Sequence, residues 1–329
     1  MAQTTSEVWD SRWSATERAI DPEVADNFFE EYKLVKAHRA GGMSVTRRGG
    51  KEISVRLETS GGTAESFDKY DPLAKAPIDP FESAHYKRRY YAVPIILSDT
   101  EDWENSGKEQ VFDLLEHLGR NARKSLLKAI NEDIAGAQAG KNMLGYQDLM
   151  ADAAGATIGG INSSTSTWWE SQRYTTAKTF TTQTVTNIYD GFVAWDDVMD
   201  NIRIQGGNPS RICTTYSIVR AYRQALASQG YARTTTSGNV KGGLNISDEP
   251  PYMGAQVMAD NDITALHSYH WDPAALKLNV ISQANFRKTP FVSLQPNGQM
   301  AQLAYMVAGV QLTTNNRRRL GVATAVTGA

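Results

Sequence analysis

The chain has 329 residues, 41% of them hydrophobic, with 34 lysines and arginines against 36 aspartates and glutamates and a formal net charge of −2. That is enough apolar material for two compact domains, and the near-neutral balance argues against sequence-specific nucleic-acid binding as the main task, leaving any polyanion contact local. A single cysteine, Cys213, excludes an internal disulfide, and neither a signal-peptide pattern nor an apolar run of membrane-spanning length occurs.

Residues 1–40 read as an arm. Between positions 17 and 31 the carboxylates Glu17, Asp21, Glu23, Asp26, Glu30 and Glu31 stand against one basic residue, Arg18, while Trp9, Trp13, Phe28, Phe29 and Tyr32 are spaced along it as anchors. Such a segment has no core of its own and is expected to clamp a surface, a neighbour's rather than its own; the plainer alternative is an ordinary first helix. Residues 41–98 follow as a ribbon. Its outgoing limb, Met43–Thr59, alternates in Ile53-Ser54-Val55-Arg56-Leu57, and its return limb, Ala84–Leu97, carries Tyr86, Tyr90, Tyr91, Val93, Ile95 and Ile96. Between them Gly61-Gly62, Asp71-Pro72, Ala76-Pro77 and Asp79-Pro80 set a long tip with little to bury. Because a two-stranded ribbon is marginal in water, this one is expected to rest on something outside its own subunit.

Two capping-box patterns, Ser98–Glu101 and Ser106–Glu109, precede a long amphipathic helix predicted over 108–138. Its apolar stripe is Val111, Leu115, Leu118, Ala122, Leu126 and Ile130, with Lys108, Glu109, Arg120, Lys124 and Glu132 opposite. Residues 139–190, threonine-rich and holding Trp168-Trp169, read as strand and exposed loop. A helix is predicted over 190–205, stopped by Gly206-Gly207. Then come strand 211–214, helix 216–229, a Gly/Thr/Ser loop over 230–243, and strands at 256–259, 265–269, 276–281 and 291–294. Two last strands, 300–313 and 320–326, flank Arg317-Arg318-Arg319.

The chemical inventory is thin. His267 and His270 lie three apart in a predicted strand, which points them to opposite faces, and no carboxylate cluster joins them, so no metal site is assigned. Gly159-Gly160-Ile161 lacks the third glycine of a nucleotide cradle. No serine sits in a nucleophile elbow, and Cys213 has only Arg211 to activate it. No catalytic residue and no cofactor is assigned. Basic residues gather in two places. Arg317, Arg318 and Arg319 are candidates for DNA phosphate or a neighbouring subunit, against the plainer reading of a solvated turn. On the ribbon, Arg47, Arg48, Lys51, Lys69, Lys87, Arg88 and Arg89 are candidates for pairing with acidic residues of adjacent subunits, Glu23, Asp26, Glu30 and Glu31 among them.

The order of these features resembles the major capsid proteins of tailed bacteriophages, a fold shared with encapsulins. The residues that carry the resemblance are Tyr91-Ala-Val-Pro-Ile-Ile-Leu-Ser-Asp-Thr-Glu101, the long helix after it, Gly159-Gly160-Ile161-Asn162 with Thr167-Trp168-Trp169, and Gly206-Gly207-Asn208-Pro209-Ser210-Arg211-Ile212 leading into Tyr216. The resemblance implies an α+β tailed-phage major capsid fold with an N-terminal arm (1–40), an extended β-ribbon loop (41–98), a peripheral domain with a spine helix (99–207), an axial α/β domain (208–298) and return strands (299–329). It further implies a structural protein, not an enzyme, whose copies form pentamers and hexamers of an icosahedral shell around double-stranded DNA, held by non-specific contact. Separate scaffolding, portal and decoration proteins would be its partners, with no membrane, and the shell would assemble in the host bacterial cytoplasm to become a virion. An encapsulin-like nanocompartment is the alternative, and a soluble α/β enzyme with a dimerisation arm a more distant one. Some family members weld their shells through a lysine and an asparagine; Lys51, Lys69 and Lys75 or Asn315 and Asn316 match no such motif, so that chemistry is not carried over.

Overall fold

A computed structural model describes residues 32–61, 64–70, 79–99, 108–184, 188–228 and 249–327, with the backbone alone over 108–117. The arm residues Glu23, Asp26, Glu30 and Glu31, both capping boxes and the 230–243 loop therefore lie wholly or partly outside the described residues. Helix α1 (Lys33–Ala40) buries Leu34, Val35, Ala37 and His38 and ends at Gly41. Gly42, with φ +64°, turns the chain into β1 (Ser44–Arg47). Then follow β2 (Glu52–Glu58), β3 (Phe81–Lys87), β4 (Arg89–Ser98) and the spine helix α2 (Lys108–Ala135). The middle of the chain supplies short strands β5 (Thr157–Ile158), β6 (Ile161–Asn162), β7 (Gln172–Tyr174) and β8 (Lys178–Thr179), then α3 (Asp190–Ile204), β9 (Arg211–Thr214) and α4 (Tyr216–Ser228). Strands β10 (Gln256–Ala259), β11 (Ser268–Trp271), β12 (Leu276–Ile281), β13 (Arg287–Lys288), β14 (Val292–Ser293), β15 (Ala301–Thr314), β16 (Leu320–Ala323) and β17 (Val326–Thr327) complete it.

Strand β15 organises the larger, six-stranded sheet. One edge pairs antiparallel with β4 from Ala301↔Ser98 to Val310↔Arg89. Its other edge meets β14, β13 and β12 in turn, and β1 adds to β12 in parallel. The second sheet runs β10-β9-β11-β16-β7. Two cores result. The first joins α1, α2, the larger sheet, Tyr146, Trp169 and Trp271. The second lies under α3 and α4, where Phe180, Trp195 and Tyr222 meet with ring centroids 5.0–5.9 Å apart.

Several expectations are revised. The predicted limbs are each two strands, not one: Gly49 (φ +57°) and Gly50 (φ +94°) break β1 from β2, and Arg88 breaks β3 from β4. Only β2 and β3 form the ribbon, in register from Glu52↔Lys87 to Glu58↔Phe81, while β1 and β4 belong to the sheet. The ribbon's root rests on its own subunit, since Ile53, Leu57, Ala84 and Tyr86 are in the first core. His85 N–H donates to the Gly159 carbonyl at 2.8 Å, and Tyr86 Oη donates to the Thr314 carbonyl at 3.0 Å. Helices α3 and α4, on either side of the expected division at 207/208, share one core, and β12, β13 and β14 join the sheet of β4. Strand β11 starts at Ser268 rather than 265, because Leu266 takes φ +66°.

Candidate assembly surface

The turn between β1 and β2 gathers cations by simple topology. It brings Arg47, Arg48 and Lys51 beside the end of β3, where Lys87, Arg88 and Arg89 follow one another. Arg88 donates to the Gly49 carbonyl, tying the turn to the return strand, and Arg47 Nε donates to Asn279 Oδ1 at 3.0 Å. Arg47, Arg48, Lys51 and Lys87 are exposed, whereas Arg88 and Arg89 are half-buried, each with an Nε that is out of solvent and lacks a hydrogen-bond partner among the described residues. Glu52 is the register partner of Lys87, and its Oε2 lies 3.9 Å from His85 Nδ1. Arg47, Arg48, Lys51, Lys87 and Arg88 thus come together near Glu52 at this end of the ribbon, whereas Arg89, of the same parity as Tyr91, lies on the spine-helix side, where its charge acts on the Tyr91 hydroxyl. Farther out, Lys69 is exposed, as are Phe67 and Tyr70, the latter 96% accessible.

A second surface was not anticipated. On β4 the residues Tyr91, Val93, Ile95 and Leu97 alternate with Tyr90, Ala92, Pro94 and Ile96. The first set faces the spine helix: Tyr91 Oη donates to Asp133 Oδ2 at 2.5 Å, and Ile95 and Leu97 are buried. The second set faces out. Its register partners on β15 are Gly309, Val307, Tyr305 and Leu303, and Val292 of β14 lies next to Leu303. Tyr90 (59%), Ile96 (53%), Tyr305 (42%) and Val292 (62%) remain accessible, so the outer face of these strands is a contiguous apolar patch. A sequence signal existed: the run from Tyr90 to Leu97 is apolar at both parities, the mark of a strand that expects cover on both faces.

The spine residues behave unequally. Ala122, Leu126 and Ile130 are buried at 4%, 1% and 2% accessibility, and Leu118 is half-buried against the same core. Val111 and Leu115 lie in the helix, but their side chains are outside the described set.

Arg317 corrects the reading of the arginine triplet. Its side chain is 1% accessible and donates to three carbonyls, Nε to Leu149 at 3.0 Å, Nη1 to Trp169 at 3.1 Å and Nη2 to Asp148 at 3.4 Å. Burial lowers its pKa to about 10. This guanidinium is a bolt inside the subunit, its donors spent on backbone carbonyls. Nothing in the sequence distinguishes it from the half-buried Arg318 and Arg319, the latter with Nη1 3.6 Å from Asp272 Oδ2.

The residues weighed for chemistry are dispersed. Cys213 is fully buried, and burial pushes its thiol well up. His267 Nε2 pairs with Asp152 Oδ2 at 2.9 Å, while His270 is buried against Ser268 Oγ at 3.2 Å. Among the described residues, no three or more His, Cys, Asp or Glu side chains are placed to hold a metal ion, and no helix is long and apolar enough to cross a membrane.

No protein-family model matches the chain, and no curated protein sequence does. Solved structures do. The chain superposes on the capsid asymmetric unit of cyanophage A-1(L) with a TM-score of 0.64, at 16% identity over 88% of this chain and 92% of that one. The capsid of a native GTA particle gives 0.58 at 10% identity over 88% and 90%. The holo-SrpI encapsulin complex of Synechococcus elongatus PCC 7942 gives 0.55 at 10% identity over 89% and 88%. The chain therefore has the α+β fold of tailed-phage capsid proteins and encapsulins.

Proposed function

We propose that this protein is the major shell-forming subunit of a tailed-phage capsid, structural and not enzymatic. Its copies tile as pentamers and hexamers into an icosahedral shell that encloses double-stranded DNA by non-specific contact, with separate scaffolding, portal and decoration proteins as partners. Assembly takes place in the host bacterial cytoplasm, and the finished protein resides in the virion.

One observation carries the reading. Among the described residues, the same subunit leaves an apolar sheet face exposed around Tyr90, Ile96 and Tyr305, and Phe67 and Tyr70 beyond the ribbon are exposed as well. Each deficit is answered by the other in a second copy, so association buries apolar area that a lone subunit leaves in water, at roughly 25 cal/mol per Å². The likeness to capsid subunits over nearly the whole chain supports the same reading. An encapsulin-like compartment has the same architecture, and cargo separates the two: particles from producing cells should hold nuclease-protected DNA rather than protein.

Electron microscopy of the purified protein should show closed shells, tubes or sheets. Ile96→Glu with Tyr305→Glu should yield a folded subunit that no longer forms them, because two carboxylates cannot be buried unpaired at the contact. A small monodisperse oligomer from the parent chain, or normal particles from the variant, would reject the proposal.

A further inference from the structure

We infer that the junction between the spine helix and the turn after β10 binds a hard divalent cation, calcium by its geometry, through Asp260, Asp262 and the side-chain carbonyl of Asn131. Asn131 reaches out of α2 at 2% accessibility, Asp260 follows the last residue of β10 at 6%, and Asp262 stands half-buried two residues on. The amide Nδ2 donates to Asp262 Oδ2 at 2.6 Å and faces both Asp260 carboxylate oxygens at 3.3 Å, so two N–H bonds serve three anionic oxygens. Asn131 Oδ1, the other end of the same amide, is sealed from solvent and accepts from no group among the described residues. Buried acceptors rarely stay idle. A half-turn of the amide about its terminal torsion carries this oxygen onto the carboxylates, which becomes favourable once a cation lies among them.

Charge decides what the cluster can hold. Burial, with the Asp262 charge beside it, holds the Asp260 carboxyl above its ordinary value. Lys33 acts the other way, but its Nζ is engaged by Glu249 Oε1 at 2.6 Å. Asp260, Asp262 and Glu249 against Lys33 therefore leave an excess of negative charge here. With the amide turned, Asn131 Oδ1 takes the Nδ2 position, 2.6–3.3 Å from the carboxylate oxygens. Such separations suit oxygens that share one calcium ion at about 2.3–2.6 Å. The donors are all oxygen, which favours a hard cation over a thiolate- or imidazole-seeking metal. Their irregular spacing, with half-buried Asp262 leaving room for water in the shell, suits calcium better than magnesium, which demands a near-ideal octahedron. The set is two acids and an amide, and so differs from the clusters of three or more acids, histidines or cysteines that the described residues lack. Helix α2 belongs to the first core and β10, through Val257 and Ala259, to the second. The ion thus clips one core to the other.

The test uses the full-length chain, stripped of metal with a chelator, and none of its readouts depends on shells. Calcium chloride titrated into it should bind at one site per chain by calorimetry and raise the melting temperature by at least about 2 °C at saturation. Sodium chloride at matched ionic strength should do neither. Asp262→Asn, at the half-buried position, should lose both calcium effects, yet without calcium should melt no lower than the parent, because one of two repelling carboxylates is gone. Asp260→Asn should lose them as well, and serves if the first variant does not fold. Asp197→Asn, which alters an exposed carboxylate of α3, should respond to calcium as the parent does. A parent chain with neither binding heat nor a melting shift overturns the site. So does an equal shift with sodium chloride, or an undiminished calcium response in the Asp262 and Asp260 variants.

Discussion

At the residue scale the subunit depends on polar groups that no sequence pattern marks. Arg317 neutralises three carbonyl dipoles in a place water cannot reach, so Arg317→Met should strand them and destabilise the fold by about 2–5 kcal/mol. Arg318→Ala, next door, should change stability by less than about 0.5 kcal/mol. Chemical denaturation of the two variants checks the contrast, and equal losses would show that the buried guanidinium is not special. His38 and His270 make a second case. Both rings are fully buried, each Nδ1 lacks a partner among the described residues, and burial depresses both pKa values to about 3. His38 Nε2 is bonded to Tyr146 Oη at 2.8 Å, its ring stacks on Trp271, and the positive charge of Arg211 adds to the depression. Unfolded, each imidazole takes up a proton below about 6.5. The unfolded chain then binds more protons, and stability present above that pH is lost as pH falls from 6.5 towards 3, by about 2 kcal/mol per ring at pH 5. Burial raises the Asp148 and Asp260 carboxyls, which opposes this loss only nearer their ordinary value of 3.8. Melting temperature should therefore fall between pH 7.5 and 5, with a shallower slope in His270→Phe; a flat profile, or a parental slope in the variant, contradicts the assignment. A histidine in the sequence carries no sign of whether it will be sealed in, which is why His270 was weighed only as a metal ligand and His38 not at all.

At the element scale the sequence is more informative, because periodicity reports burial. Strands 211–214, 256–259 and 276–281 lie where apolar runs put them, and α2 runs over 108–135 against an expected 108–138. What periodicity does not report is depth. Leu118 and Leu126 occupy the same stripe, yet Leu126 is 1% accessible and Leu118 only half-buried. Leu126→Asp should abolish cooperative folding, since an unpaired buried carboxylate costs several kcal/mol out of a typical total of about 5–15. Leu118→Asp should leave a folded but weakened subunit. Circular dichroism melts of both decide it, and matching behaviour would mean that the stripe is equally buried along its length. The ribbon limbs were legible as strands but not as four separate ones. Alternation continues across Gly49-Gly50 and Arg88, and only pairing partners more than two hundred residues away assign β1 and β4 to the sheet.

At the scale of the whole molecule, long-range pairing makes the fold, and a one-dimensional reading cannot supply it. The ordered resemblance gave the architecture, but not that β12 to β14 would line one edge of β15, nor that the outer face of β4 would stay open. A chain ending at Gly298 has lost the centre of one sheet, β15, and, in β16, an internal strand of the other. It should show no cooperative melt; a sharp transition would mean that one layer stands alone. Strand β15 then has a meaning in time as well as in space. Residues 44–98 emerge from the ribosome long before 301–314, and until those last residues appear β4 has no partner edge and no outer face on which a second copy can settle. Synthesis thus imposes an order of events: on the proposed reading, an incomplete polypeptide offers a second copy no finished docking face.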